Sequence, residues 1–465
     1  MKYKGIISAV VLTAFTAVTV HANSAITYVD GSDGTGVVVL TEDCPLVVEH
    51  EDLVFHIDDL PSDYYSSTSF FETYSADVTA EYTVYNPTEL NIHAVLAFPF
   101  GTYPRYIPED ARLNYSSDHY RVQINGETIS SDIRATYKED WTKFSLENDV
   151  PLLQDGYTED GFFRPELPAA EYTWVMETGN TDPSNEVSAV FHRSEHTRII
   201  AEPEETVHYD REKGTYELRF RAENQKQVVL YVFGEDTGEP EWSFSSQTDD
   251  QTETETAMTL QSRREYTFLD YVLRDYDDAF GISVSDWYNA YVTMLKQSSG
   301  SSFILSEPYR SLQHNLMRWY VYEIDLEPGE RLINTVTAPM FPRIDTGFEP
   351  PVYTYTYLLS PASTWKEFAS LDVRLETPYY LIKSGPGSFT RDGGVYTASF
   401  DHLPDQELNF ELCTVTSPKR NNNYGTYILL LLAGGILIPL VLFILLVILI
   451  IRIIRRKKII RTAKE

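Results

Sequence analysis

Across most of residues 37–416 apolar side chains recur at every second position, the period of a strand with one buried face. Val78, Ala80, Tyr82 and Val84 alternate with polar neighbours, Asn86-Pro87-Thr88-Glu89 reads as a turn, and Leu90 to Phe98 returns as a second strand stopped at Pro99. The same hairpin pattern recurs twice. Tyr216, Leu218 and Phe220 lead through the polar Glu223–Gln227 break to Val228–Phe233, and Trp319–Ile324 leads through Glu327-Pro328-Gly329-Glu330 to Leu332–Val336. Leu46–Ile57, Val352–Leu359, Leu371–Leu375, Val395–Phe400 and Leu408–Leu412 add further strands. Short strands at this spacing, punctuated by Gly, Pro and Asn, predict a mainly β, sandwich-type fold.

One region changes period. Between Ser285 and Lys296, Trp287, Tyr291 and Leu295 fall four apart with Tyr288 and Val292 beside them, a single apolar helical face. Ser283 with Asp286 resembles a capping box at its start, and Tyr266 to Tyr276 reads as a partner helix. Core packing accounts for the aromatic stripe better than a ligand box does. Polar stretches at Ser245–Thr256 and Gln297–Ser302 bracket this region as loops. The division that follows is a β-rich domain at 37–244, a helical insertion with its loops at 245–315, and a β-sandwich portion at 316–416 that pairs back to the N-terminal strand.

The two ends carry addresses. Lys2 and Lys4 followed by the uncharged run Gly5 to Val20, then Val20-His21-Ala22, read as a secretory signal peptide over 1–22. Tyr427 to Ile451 is uncharged and dominated by Leu and Ile; at about 1.5 Å per residue it exceeds the roughly 30 Å hydrocarbon core and predicts a tilted transmembrane helix. A linker at 417–426 precedes it. The tail 452–465 carries Arg452, Arg455, Arg456, Lys457, Lys458, Arg461 and Lys464, which places it in the cytoplasm against anionic lipid and everything before Tyr427 outside. No LPxTG string precedes the helix, so the expectation is a retained anchor rather than a wall-sorting signal.

Charge sharpens this picture. The 465 residues carry 37 Lys+Arg against 69 Asp+Glu, a formal net charge of −32. Setting aside Lys2, Lys4, the seven tail bases and Glu465 leaves 28 basic against 68 acidic residues outside, about −40. Such a surface repels nucleic acid and other polyanions. The chain has two cysteines, Cys44 before the first long strand and Cys413 at the end of the last, too few for a disulfide-dense scaffold or a four-cysteine zinc site. Both fall on the expected outer side, so a disulfide between them is the expectation, with two free buried thiols as the alternative.

Four segments together resemble an uncharacterised family of exported, β-rich, single-pass bacterial membrane proteins, a domain of unknown function. They are Cys44-Pro45-Leu46-Val47-Val48-Glu49, Tyr82 to Phe100, the WYVYEIDLEPGE segment from Trp319, and the YTYLLSPASTWKEF segment from Tyr355. The resemblance implies a signal peptide, β-sandwich parts, often a C-terminal helix, and a bacterial source. It supplies no catalytic residues.

Candidate chemistry is sparse. His192-Arg193-Ser194-Glu195-His196 is an H-x-x-E-H string, which on a helix sets His192 and His196 on one face around zinc with Glu195 as base. Its flanks are strand-like, and across a strand such histidines stand about 13 Å apart, so a strand–turn–strand connection is the expected reading. Asp275, Asp277 and Asp278, and Asp30 with Asp33, lack the spacing of an EF-hand loop. G-x-S-x-G, P-loop and GxGxxG strings are missing. Trp242, Trp287, Trp319 and Trp365 suit core filling better than a sugar platform. The reading is a membrane-anchored binding or structural protein of a bacterial cell envelope, not an enzyme and without a cofactor, contacting a protein or glycan. A surface hydrolase using the HRSEH string, and an accessory subunit or sensor of a membrane complex, are the alternatives.

Overall fold

The computed structural model describes residues 28–420, apart from 30, 32, 62–75, 101–119, 131, 139–144, 180–184, 204–205, 246–255, 279–280, 300–301, 306–311 and 313–314. The signal segment 1–22, the apolar stretch 427–451 and the tail bases Arg452 to Lys464 lie outside these residues. Among the described residues no helix is long and apolar enough to cross a membrane.

The chain is mainly β and builds several sheets. The largest has eight strands, in the order Thr390–Asp392, Val395–Phe400, Leu371–Glu376, Val47–Ile57, Ala76–Tyr85, Arg331–Pro339, Arg121–Ile124 and Glu127–Thr128. Opposite it lie a four-stranded sheet centred on Ile92–Phe100 and Leu316–Leu326, and a six-stranded sheet centred on Val352–Leu358 and Leu408–Cys413. Leu53, Phe55, Val78, Val84, Leu96, Phe98, Ile324, Tyr355 and Phe410 fill the shared core. Burying alternate positions of each strand from both sides is what the period-two pattern demands.

A second layered pair is built from residues 168–267. Pro168–Thr178, Thr197–Glu202, Gln227–Gly234 and Thr256–Thr267 form one four-stranded sheet, facing another made of Glu186–His192, Thr206–Asp210, Thr215–Arg221 and Glu241–Ser245. Trp174, Met176, Phe220 and Leu230 lie between them. The first of these sheets is covered on its other face by the helix Val284–Ser299, whose Trp287, Tyr288, Tyr291 and Leu295 pack with Phe233 and Phe268. Ser283 accepts the Asp286 amide at 3.0 Å, the cap its sequence promised. Strands within 37–244 thus divide between the two layered pairs, and strands from Leu316–Leu326 to Leu408–Cys413 return to the first.

Three expected hairpins prove to be arches. Ala76–Tyr85 belongs to the eight-stranded sheet and Ile92–Phe100 to the sheet opposite; Leu316–Leu326 and Arg331–Pro339 divide the same way, as do Thr215–Arg221 and Gln227–Gly234 in the second pair. Each strand of a pair has one buried face, so the turn can cross the roughly 10 Å between sheets as well as the shorter gap between paired strands. Fully buried Asn86 pins two arches together. Its Nδ2 faces the carbonyls of Leu90, Leu326 and Glu327 at 2.7, 3.1 and 3.0 Å, its Oδ1 accepts from the Thr88 amide, and its backbone bonds Gly329 and Glu330. Two elements also differ in the insertion. The expected helix Tyr266–Tyr276 shortens to Phe268–Val272 with a 3-10 turn, and Thr256–Thr267 is an edge strand that its Thr, Ser, Gln and Arg side chains disguise.

Candidate functional site

Facing away from the core, the Val47–Ile57 strand presents His50, Asp52, Val54 and His56 on the outer face of the eight-stranded sheet. A β-bulge sets this face. Leu46 and Val48 are buried, and strict alternation would carry His50 inward after them. The register against Ala76–Tyr85 shifts between Val48 and His50, making Glu49 the extra residue and reversing the parity. His50 turns to solvent, and Glu51 enters the core with Leu53, Phe55 and Ile57.

Pairing then lines up charges. Asp372, Asp52 and Glu81 stand abreast on three neighbouring strands, as do Glu376, His56 and Asp77 farther along. Like charges set directly opposite repel. Among the described residues Asp52, Asp372 and Glu81 have no Lys or Arg within ion-pair distance; the basic group beside the two aspartates is His50.

His50 is held in one orientation. Its Nε2 lies 3.4 Å from Asp52 Oδ1 and 3.6 Å from Asp372 Oδ2, and one ligand atom of each residue falls within 4.8 Å of the others. Its Nδ1 lies 2.8 Å from Ser370 Oγ, which donates to the Glu49 carbonyl at 3.1 Å. A carbonyl only accepts, so the hydroxyl proton is committed there and the Ser370 oxygen takes the Nδ1 proton. With Nδ1 turned to Ser370, Nε2 is the ring nitrogen that faces both carboxylates. Side chains of His50, Asp52 and Asp372 are 33%, 55% and 52% exposed, so the group is open to solvent.

Two other histidines sit among carboxylates differently. His56 places Nδ1 3.2 Å from Glu376 and Nε2 3.2 Å from Asp58. His93 places Nδ1 2.9 Å from Asp325 and Nε2 3.9 Å from Glu323, and the Asp325 hydrogen bond raises its pKa. In both, the acids bracket opposite ring nitrogens and cannot meet on one ion.

Under this face lies Glu51, only 1% exposed, with no hydrogen-bond partner for either carboxylate oxygen. Burial pushes its pKa up to about 8; the nearby Tyr82 hydroxyl opposes this without completing a hydrogen bond, and Asp52 adds to it. The Tyr82 hydroxyl accepts the Val37 amide at 3.3 Å and lies 3.4 Å from the Tyr357 hydroxyl.

The residues that the sequence singled out fall elsewhere. His192 ends a strand of one sheet, exposed Glu195 and His196 follow in the connection, and Thr197 begins a strand of the facing sheet. The string is an exposed link between layers, and among the described residues it is His50, Asp52 and Asp372 whose ligand atoms lie close enough to share an ion. Cys44 and Cys413 are both buried and both free thiols, not the expected disulfide. The reason is placement: Cys44 precedes the eight-stranded sheet, whereas Cys413 ends a strand of the six-stranded sheet with Sγ 3.4 Å from the Pro351 carbonyl. Trp287, Trp319 and Trp365 are buried, and Trp242 packs edge-on against Trp174 with ring centroids 5.3 Å apart.

His50 and Asp52 were within reach of sequence reasoning, because Leu53, Phe55 and Ile57 fix the parity of their strand. Asp372 and Ser370 were not, because a parallel pairing across more than 300 residues leaves no local trace.

No family model matches the chain, and no curated protein matches it. Among solved structures, a Legionella pneumophila protein named as a candidate nutrient-binding protein aligns over 83% of this chain and 72% of its own, at 8% identity and a TM-score of 0.34. A likeness that slight transfers neither fold nor ligand.

Proposed function

We propose that the chain is an exported β-sandwich protein with a helical insertion, held in a bacterial cell membrane by one C-terminal helix, that binds a partner at the cell surface. The observation that carries the reading is the outer face of the eight-stranded sheet, where His50, Asp52, His56, Asp372 and Glu376 are gathered on adjacent strands without serving the core. Strands stand about 4.8 Å apart, so this face offers a regular array of acceptors. Its acidic balance favours a basic protein segment, a hydroxyl-rich glycan or a bound cation over any polyanion. The uncharged stretch 427–451 and its basic tail support the anchor.

Protease treatment of intact cells tests the topology. A tag after Glu465 should survive while the region before Tyr427 is digested; a digested tag would refute the orientation, and a chain released into the medium would refute the anchor. Crosslinking on cells, followed by mass spectrometry, tests the face. A partner recovered with wild type should be lost when His56 and Glu376 are replaced by alanine and retained when His192 and His196 are. Capture unaffected by the first pair would remove this face as the binding surface.

A further inference from the structure

We propose that His50, Asp52 and Asp372 form a binding site for one divalent transition-metal ion, Zn²⁺ or Mn²⁺, on the outer face of the eight-stranded sheet. The inference names a ligand for the face described above and rests on that reading for its biological use; the site itself rests on geometry.

Three observations converge. First, the separations fit a shared ion. Ligands about 2.1 Å from a tetrahedral centre stand about 3.4 Å from one another, and the Nε2–carboxylate distances are 3.4 and 3.6 Å. Second, the imidazole is prepared for ligation. Ser370 holds Nδ1 and itself donates to the Glu49 carbonyl, which fixes the ring so that Nε2 faces both carboxylates; an outer partner on the far ring nitrogen is what orients ligating histidines generally. Third, the neighbouring acids are not matched by Lys or Arg. The Asp372–Asp52–Glu81 row lacks a Lys or Arg ion pair among the described residues. The contrast with His56 and His93 is decisive, since of these three histidines His50 alone turns a single nitrogen toward two carboxylates.

One imidazole nitrogen with two carboxylate oxygens suits zinc or manganese better than calcium, which prefers six to eight oxygens. Three protein ligands on an open face leave positions for water or for a donor atom of a bound partner. The ion could thus bridge this acidic surface to a partner's carboxylate or hydroxyl.

The experiment is Zn²⁺ titration of the purified full-length chain by calorimetry in moderate salt, repeated by Mn²⁺ electron paramagnetic resonance. Wild type should bind one equivalent saturably, and acid should release it because a ligating imidazole must be neutral. D372N and H50Q should each abolish the saturable phase. S370A, which touches no ion, should weaken it about tenfold or more. H192A/H196A should leave it unchanged. Binding that stays non-saturable and fades with salt, or a saturable phase that survives H50Q with D372N, would overturn the site. These residues lie outside the core clusters, and circular dichroism of each variant checks the fold. Failure of the titration would leave the membrane topology and the crosslinking result standing, so the two readings fail separately.

Discussion

Replacing Glu51 by glutamine should remove a large part of the pH dependence of stability. The carboxyl is buried without a hydrogen-bond partner, and its pKa rises from 4.5 to about 8 on folding. The folded state therefore binds a proton more tightly than the unfolded chain, and the group's contribution to stability is complete below pH 4.5 and lost as pH rises through 8. With 3.5 units between 4.5 and 8, at about 1.4 kcal/mol per unit, the loss reaches about 5 kcal/mol above pH 8 and about 3 kcal/mol at pH 7. Glutamine keeps the shape and stays neutral, so its stability curve should be flatter by that amount. The assay is denaturant unfolding of wild type and E51Q at intervals from pH 5 to 9, followed by tryptophan fluorescence. The two should be closest at pH 5, with E51Q progressively the more stable toward pH 9. Curves that stay parallel across this range would refute the argument, because they would mean that folding takes up no proton at Glu51. Tyr82→Phe supplies a second check: losing the hydroxyl that favours the ionised carboxylate should move the transition to higher pH.

Three further outcomes follow from other sites. Asn86→Asp, isosteric but with acceptors where three carbonyls expect a donor, should cost about 3 kcal/mol by equilibrium unfolding; a neutral result would mean that the arches do not depend on this clamp. Asp286, 3% exposed, accepts from Arg134 Nε at 2.9 Å and from the Ala135 amide at 3.0 Å, so Asp286→Ala should cost about 3 kcal/mol by leaving the guanidinium partly buried without it. Removing both partners as R134M/D286L should recover part of that loss. Alkylation in denaturant without reductant should modify both Cys44 and Cys413, whereas the native protein should react slowly, since both thiols are buried and burial raises the Cys44 pKa; no alkylation without reductant would show a disulfide instead.

The strands were legible because their apolar residues keep period two, and the Val284–Ser299 helix because Trp287, Tyr291 and Leu295 keep the helical one. Beyond the expected return of 316–416 to the N-terminal strand, the partner of each strand was not legible. A turn such as Asn86-Pro87-Thr88-Glu89 announces a reversal, but nothing local says whether the next strand joins the same sheet or the one opposite. The face of a strand follows from parity only until a bulge intervenes. Glu51 stands among the polar Glu49, His50 and Asp52, yet it shares parity with Leu53, Phe55 and Ile57 and is buried with them. The HRSEH string drew attention because its spacing matches a helix, and strand geometry at Glu186–His192 dissolves that meaning. The aspartate that completes the His50 group arrives on a strand whose nearest sequence neighbours give no hint of it.

The parallel pairing of Val47–Ile57 with Leu371–Glu376 also sets a timetable for biogenesis. The first long strand keeps an unpaired edge until a segment some 320 residues later has been made, as the spacing of His50 and Ser370 measures. At ribosomal rates of about 5–20 residues per second, that delay is on the order of 15–60 s. During this interval Leu53, Phe55 and Ile57 have no complete core to enter. A nascent chain of this design keeps that strand edge open until late in its synthesis.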